Sequence, residues 1–308
     1  LEQVIKIGTR SSALAMWQAN HVADLLGAAG ISTEIVPVET KGDKVLNKSI
    51  AKIGSKGVFT EELEEMLRSG EIHIAVHSAK DVQAELDSDL ELLAYCEREK
   101  PNDVVVSFNK YFKLDTQLTW VIGTASTRRV AMLKHLYPRL RTANVRGNLQ
   151  TRLRKLEEGL CDALILAYAG VKRMGLEHLV VEELSLDVFT PPVGQGAIAV
   201  EVSKKMPAKL KNALKKAVNH EATEKCILAE RAFLLRLKGG CSIPSFAYAE
   251  YTEDRQICIK GGLVSLDGKQ IVREEVTGKN PAEIGTNLAE LVLENKGAEI
   301  LATIRKNL

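Results

Sequence analysis

Nine basic side chains crowd into the 33 residues from Gly123 to Lys155, a stretch without Asp or Glu in a chain whose net charge is only +2. They are Arg128, Arg129, Lys134, Arg139, Arg141, Arg146, Arg152, Arg154 and Lys155. Two apolar runs, Trp120–Ile122 and Thr142–Val145, each lead into a short loop and then into a helical pattern. Ser126 and Asn148 stand where N-caps belong. The stretch therefore reads strand, loop, helix twice. A helix N-terminus attracts anions through its unpaired N–H groups, and an arginine fork fits carboxylate or phosphate bidentately. Lys134, Arg139, Arg141, Arg154 and Lys155 have the positions of solvated helix faces. Arg128, Arg129, Arg146 and Arg152 sit at loops or first turns, where a cation opposes the helix dipole and needs an anion beside it. These four are the candidate anion site.

Asp81 is the sharpest acid candidate. It follows the apolar run Ile72–Val76 in the segment His77-Ser78-Ala79-Lys80-Asp81. Two readings stand: a carboxylate in a basic cleft, or a cap of the next turn. His73 and His77 read as packing or backbone-bonded residues, with no partner histidine nearby. No Ser/His/Asp arrangement is visible, and Gly54–Gly57 lacks the spacing of a phosphate loop. The five cysteines, Cys96, Cys161, Cys226, Cys241 and Cys258, form no C-x-x-C pair, so no zinc or other metal site is expected. Cys161, Cys226 and Cys258 have apolar neighbours and read as buried fillers. Cys241 differs, because Gly239 and Gly240 precede it and Pro244 follows, in what reads as an accessible loop. A reducing, cytoplasmic compartment is expected.

A chain of 308 residues with 45% hydrophobic and 27% charged residues is an ordinary globular protein of two or three domains. No apolar run reaches membrane-spanning length and no signal peptide is apparent. The numbering opens on Leu1, so an initiator Met or a leader is expected to be missing from it. Ile5–Ile7, Glu34–Val38, Ile72–Val76 and Leu90–Tyr95 read as strands. Gly8–Ser12 reads as a loop, and Ala13–Ala29 and Phe59–Arg68 read as helices. Lys41–Gly57 reads as a long glycine-punctuated lid. Continuous apolar strands alternating with helices predict a parallel sheet covered on both faces, with ligands beyond the strands' carboxyl ends. Arg10, Ser12, Ser78, Lys80 and Asp81 fall there. A charged link at Glu97–Asn102 and a Pro/Gly hinge at Phe189–Gly196 divide the chain. The expected domains are 1–98 with 197–217 as a first α/β lobe, 102–193 as a second, and 219–308 as a smaller α+β domain. Two crossings between the lobes predict a cleft that opens and closes. The last domain is expected to hold a helix from His220 to Lys238 capped by Gly239. Three antiparallel strands turning at Asp267-Gly268 and a final helix over 281–295 complete it.

Seven motifs occur in order along the whole chain. They are Thr9-Arg10-x-Ser12, His77-Ser78-x-Lys80-Asp81-Val82, Gly123-Thr124-x-Ser126-x-Arg128-Arg129, and Arg146-Gly147-Asn148-x-x-Thr151-Arg152. Ala169-Gly170-x-Lys172-Arg173, Val193-Gly194-Gln195-Gly196-Ala197 and Gly239-Gly240-Cys241-x-x-Pro244 follow. Together they resemble the porphobilinogen deaminase, or hydroxymethylbilane synthase, family. The resemblance implies two hinged, doubly wound lobes of the periplasmic-binding-protein kind plus a C-terminal domain. It implies a covalent dipyrromethane held by a thioether to Cys241, to which four porphobilinogen units are added with loss of ammonia before a linear tetrapyrrole is released by hydrolysis. It makes Asp81 the catalytic aspartate and Arg10, Arg128, Arg129, Arg146, Arg152 and Arg173 carboxylate binders. Ser12, Lys56, Phe59, Ser78, Lys80, Thr124, Ser126, Asn148 and Gln195 then lie near cofactor or substrate. Ala13 and Gln83 replace prolines common in the family, which touches loop rigidity and no catalytic group.

The chemistry agrees with the resemblance. Each pyrrole unit carries two carboxylates, so a growing chain needs a basic, fork-bearing site, and a carboxylate can stabilise the cation left as ammonia departs. A monomer without nucleic-acid or membrane partners is expected. A two-lobed carboxylate- or phosphate-binding protein without catalysis accounts for the arginines but leaves Cys241 and Asp81 without a role. A nucleic-acid binder accounts for the basic stretch only, and that stretch lacks interleaved aromatics.

Overall fold

The computed structural model describes residues 3–40, 60–240 and 242–306. The chain forms two compact units, Leu1–Glu99 with Gly196–Lys225, and Lys100–Gln195 with Cys226–Leu308. The first begins with β1 (Ile5–Arg10), α1 (Ala13–Ala28), β2 (Thr33–Val38), α2 (Glu61–Ser69), β3 (Ile74–Ser78), a 3₁₀ turn over Ala79–Asp81, and β4 (Leu90–Tyr95). The second holds β5 (Asp103–Val106), β6 (Val121–Gly123), α3 (Thr127–Leu136), β7 (Arg141–Ala143), α4 (Leu149–Glu157), β8 (Ala163–Ala167), α5 (Tyr168–Arg173) and β9 (Val180–Glu183). The chain then re-enters the first unit with β10 (Ile198–Ser203) and α6 (Ala208–Val218).

The two sheets share one plan, with strand orders β2-β1-β3-β10-β4 and β7-β6-β8-β5-β9. The first three strands of each are parallel, and the fourth runs against both of its neighbours. The parallel sheet expected from the apolar strands is thus corrected to a mixed one. The reason lies in the connections. A helical crossover within one sheet sets its two strands parallel, but β5 and β10 are each the first strand laid down after the chain changes unit, with no such helix before them.

Helices cover both faces of each sheet. In the first, Ala19, Val22 and Leu26 of α1 and Leu214 and Val218 of α6 pack with Ile5, Ile7, Ile74, Val76, Ile198 and Val200. On the other face Leu63 and Leu67 of α2 meet Ile72, Ala75 and Leu90. In the second, alternation along the strands sends Val105, Ile122 and Ile165 towards α3. The same alternation sends Val104, Val106, Leu164 and Leu166 towards α4 and α5.

After α6 come α7 (Glu221–Arg236), β11 (Ser245–Tyr251), β12 (Ile257–Val264), β13 (Ile271–Gly278), α8 (Pro281–Val292) and α9 (Ala298–Lys306). The three strands form an antiparallel sheet whose β12–β13 turn uses Gly268 at φ 75°. Phe233, Leu288, Val292, Ile300 and Ile304 cover one face, while Phe246 and Val264 join the cluster of Ile122 and Ile165. Several local expectations are corrected. Gly8–Arg10 continue β1 rather than forming a loop. The left-handed residue after α7 is Lys238, at φ 49°, rather than Gly239. The last helix breaks at Asn295 and Lys296 and resumes as α9. The expected lid over residues 41–57 lies outside the described residues. No helix among those described is long and apolar enough to cross a membrane.

Gly196 closes the first unit where the chain re-enters it. Its φ is +91°, and a Cβ there would lie 2.2 Å from the Glu99 carbonyl oxygen, against backbone that cannot turn away. Glu99 N donates to Gly196 O at 3.2 Å. Gly196→Ala is expected to lower unfolding free energy by about 3 kcal/mol, combining left-handed strain with backbone overlap. Urea unfolding checks it, and a loss under about 1 kcal/mol contradicts the close approach.

Candidate functional site

In the first unit the site residues gather at the carboxyl ends of β1 and β3. Arg10 ends β1 and Ser12 caps α1, its Oγ accepting from Ala15 N at 3.4 Å. Ser78 ends β3 and is tied to Gln18 of α1, whose Nε2 donates to the Ser78 Oγ at 2.8 Å. Lys80 and Asp81 follow in the 3₁₀ turn, with Asp81 exposed. Arg10, Ser12, Gln18, Thr60, Ser78 and Asp81 line one pocket, together with His77. The pocket lining includes a carboxylate, a guanidinium and three hydroxyl side chains. Lys56 and Phe59, expected near it, lie outside the described residues, as does Cys241.

In the second unit, α3 and α4 begin as the sequence suggests. Ser126 Oγ accepts from Arg129 N at 3.4 Å, and Asn148 Oδ1 from Thr151 N at 2.9 Å. Thr124 Oγ1 accepts from Ser126 N at 3.3 Å. The arginines then separate into two groups. Arg146 donates to Asn144 Oδ1 at 3.1 Å and Arg152 to the Gly147 carbonyl at 2.8 Å, both near the N-terminus of α4. Arg173 closes α5. Arg128 and Arg129 are instead 4% and 6% exposed, and both turn inward to Asp103, which is wholly buried.

The anion that two first-turn cations require is therefore present within the fold. Arg128 Nη2 donates to Asp103 Oδ2 at 2.5 Å, and Arg129 Nη2 donates to Oδ1 at 2.7 Å. Arg128 also reaches the Thr190 carbonyl at 2.9 Å, and Arg129 the Ile165 carbonyl at 2.8 Å. Gln195 adds a third donor to Asp103 Oδ1, at 2.9 Å, and holds the Pro101 carbonyl at 2.7 Å. Burial alone would push the Asp103 carboxyl up, but the charges of the two arginines outweigh it and hold it well below the ordinary carboxylate range. Burial lowers the Arg128 guanidinium, with Asp103 opposing the shift. Two guanidinium groups facing one carboxylate leave one buried positive charge, and Arg128 Nε is buried without a hydrogen-bond partner. An uncompensated buried cation is costly, so this corner favours an added anion.

Two buried carboxylates that contact candidate site residues or their neighbours escaped the sequence reading, Asp103 and Glu201. Both are carboxylates inside otherwise apolar strands, Asp103-Val-Val-Val106 and Ile198-Ala-Val-Glu201-Val202. That pattern is the signal that could have found them, because a buried acid needs a partner. Cys161, Cys226 and Cys258 are buried as expected, and so is Cys96; burial pushes the Cys161 thiol up to about 11. Among the described residues no cluster of three His, Cys, Asp or Glu could hold a metal.

The chain carries two doubly wound sheets with one reversed strand each and polar residues gathered at strand ends, followed by a smaller α+β region. A periplasmic VFT2 domain of BvgS from Bordetella pertussis aligns with a TM-score of 0.43 and 18% identity, covering 70% of this chain and 86% of that one. Two family models match, "Porphobilinogen deaminase, dipyromethane cofactor binding domain" over residues 5–211 and "Porphobilinogen deaminase, C-terminal domain" over 224–294. The chain is 53% identical to a porphobilinogen deaminase of Desulfosudis oleivorans, covering 98% of each chain. It is 48% identical to one of Cytophaga hutchinsonii, covering 100% of this chain and 99% of that one. The chain belongs to the porphobilinogen deaminase family.

Removing the Asp103 charge strands two buried guanidinium groups. Asp103→Asn is expected to destabilise the protein by about 3–5 kcal/mol, measured by urea unfolding. The folded carboxyl is depressed, so the stability it contributes is complete above the unfolded value of about 3.9 and is lost as the pH falls below it. The variant's deficit should therefore shrink between about pH 5 and pH 2. A deficit independent of pH would mean the charge is not what matters.

Proposed function

We infer that this chain is a transferase of tetrapyrrole biosynthesis, which polymerises porphobilinogen with loss of ammonia and releases hydroxymethylbilane. When bound, the dipyrromethane supplies a covalent primer to which four units are added. The observation that carries the reading is the family match along nearly the whole chain, joined to an exposed Asp81 on the pocket that Arg10 also lines.

The residues present suit that primer. It is polyanionic, and the second unit holds a buried surplus of positive charge with an orphaned Arg128 Nε. Arg128, Arg129, Arg146, Arg152 and Arg173, with Thr124, Ser126 and Asn148, are proposed to hold its carboxylates and those of the growing chain. Gln195 acts beside them through Asp103. Cys241 is proposed as the attachment point. The described cysteines favour this, because all four are buried and unsuited to alkylation.

Arg10, Ser12, Ser78 and Lys80, with Lys56 and Phe59, are proposed to orient the incoming porphobilinogen. The Asp81 carboxylate accepts hydrogen bonds from pyrrole N–H groups and stabilises the positive charge left behind as ammonia departs. Three domains, a monomeric state, a cytoplasmic setting and no nucleic-acid partner complete the reading. No disulfide joins the four described cysteines, which suits a reducing compartment.

Asp81→Asn keeps the side chain's shape and removes its charge. Turnover of porphobilinogen is expected to fall by on the order of 10²-fold or more with little change in KM, because the charge is needed chiefly in the transition state. Near-normal turnover would leave Asp81 a turn cap. Intact-mass measurement provides a separate check: the unchanged protein should carry a pyrrole adduct that Cys241→Ser lacks. An adduct surviving in that variant would remove the attachment role from Cys241.

A further inference from the structure

His77 immediately precedes Ser78 and lines the same pocket as Ser78 and Asp81. Its side chain is 4% exposed, and Nε2 lies 2.9 Å from Oε2 of Glu201, whose side chain is fully buried. Glu201 lies 124 residues further along the chain and arrives on β10, the reversed strand. The β3–β10 register explains the meeting. Ala199 stands opposite His77 and Glu201 opposite Ala75, so residues 199 and 201 share the face that carries His77. The small side chain of Ala199 leaves room for the imidazole to reach the diagonal carboxylate.

A carboxylate this deeply buried must be paired or neutral. With Glu201 ionised, His77 Nε2 carries the proton and donates it, which leaves Nδ1 as an acceptor. Nδ1 makes no hydrogen bond to the described residues, so the ring is pinned by one nitrogen and presents a lone pair on the other. The charged groups that share its pocket or act on its partner are Glu201 from β10, Arg10 from β1, Asp81 from the turn, and Glu64 from α2. From α1 the uncharged Gln18 lines the pocket. Glu64 accepts from Thr60 Oγ1 at 2.6 Å. Burial raises its carboxyl, and the Glu201 charge adds to the shift.

The reaction gives such a base a task. Joining two pyrrole units forms one carbon–carbon bond and breaks two others. The carbon–nitrogen bond of the protonated aminomethyl group breaks with its electron pair on nitrogen, which leaves as neutral ammonia. The carbon–hydrogen bond at the accepting ring's α-carbon breaks with its pair returning to the ring, and that proton needs an acceptor. Asp81 cannot both remain charged to stabilise a cation and hold a proton in the same interval. Two groups whose surroundings differ separate these tasks.

We propose that His77 Nδ1 takes the proton released at each condensation, and that Glu201 is a positioning residue that fixes the ring's tautomer and stabilises the imidazolium formed. The proton then passes to water before the next addition. The proposal rests on the deaminase reading above.

The test uses holoenzyme of the unchanged chain, His77→Gln and Glu201→Gln. Turnover is followed from about pH 5 to pH 9, and the His77 ring protons are titrated by NMR. In the unchanged chain the acidic limb of kcat should coincide with the His77 midpoint. His77→Gln should lower kcat by about 10²–10⁴-fold with KM held within a few-fold, and should abolish that limb. Glu201→Gln withdraws the charge that favours imidazolium, so both the limb and the NMR midpoint should move to lower pH. A His77→Gln enzyme within a few-fold of normal turnover overturns the proposal. So does a Glu201→Gln protein whose limb and midpoint stay in place. Should His77→Gln fail to fold, a limb that does not coincide with the His77 midpoint in the unchanged chain overturns it equally. Absence of ammonia release by the unchanged chain would instead overturn the deaminase reading itself.

Discussion

Two arginines and one aspartate, all out of contact with water, set the terms for the second unit. Desolvating three charges is affordable only because nearly every donor and acceptor among them is satisfied. Arg128 and Arg129 hold Asp103 from α3, and they reach the carbonyls of Thr190 and Ile165. Gln195 ties the same carboxylate to the Pro101 carbonyl. The network thus joins the start of β5, the first turn of α3, the strand β8 and the segment leading back to β10. Ordinary apolar packing would hold these elements together, but it would not aim them. The charges do, and they leave one buried donor, Arg128 Nε, without a hydrogen-bond partner.

The two units answer one another in this respect. In each sheet the reversed strand carries a buried carboxylate, Asp103 on β5 and Glu201 on β10. Each carboxylate binds a base that the sequence places next to a strand end: Arg128 and Arg129 after β6, and His77 at the end of β3. The reversed strand lies next to the central parallel strand in both sheets, β8 in one and β3 in the other. A polar anchor from that strand therefore reaches the edge where loops gather, which is where a doubly wound sheet binds its ligands.

Much of this was legible in the residues. Apolar runs located most strands of both sheets, though not β9, and Ser126 and Asn148 announced their helices. The dipole argument also recognised that Arg128 and Arg129 needed an anion. It could not say that the anion was Asp103, because that contact joins positions 25 and 26 residues apart through a strand order that no local pattern encodes. The reading of His77 as a packing residue failed to see its partner for the same reason, across 124 residues. Strand direction was missed because apolar content reports burial, not orientation. Lys238 in the left-handed region shows the limit of reading glycines as punctuation: a neighbour took the conformation and left Gly239 free of it.

The placement of β10 reaches back to the ribosome. It lies between β3 and β4, yet the chain finishes it only at Ser203, long after β4 ends at Tyr95. Until then β3 and β4 have no strand between them, and the first sheet has a slot where its fourth strand belongs. A nascent chain of this protein emerges with two apolar edges open while the whole of β5 to β9 is being made. Such edges pair readily with the wrong strand, so early folding of the first unit is a period of exposure to aggregation. Because Glu201 rides on β10, His77 is also without its carboxylate throughout that interval. The pocket's polarity is set only when the sheet closes.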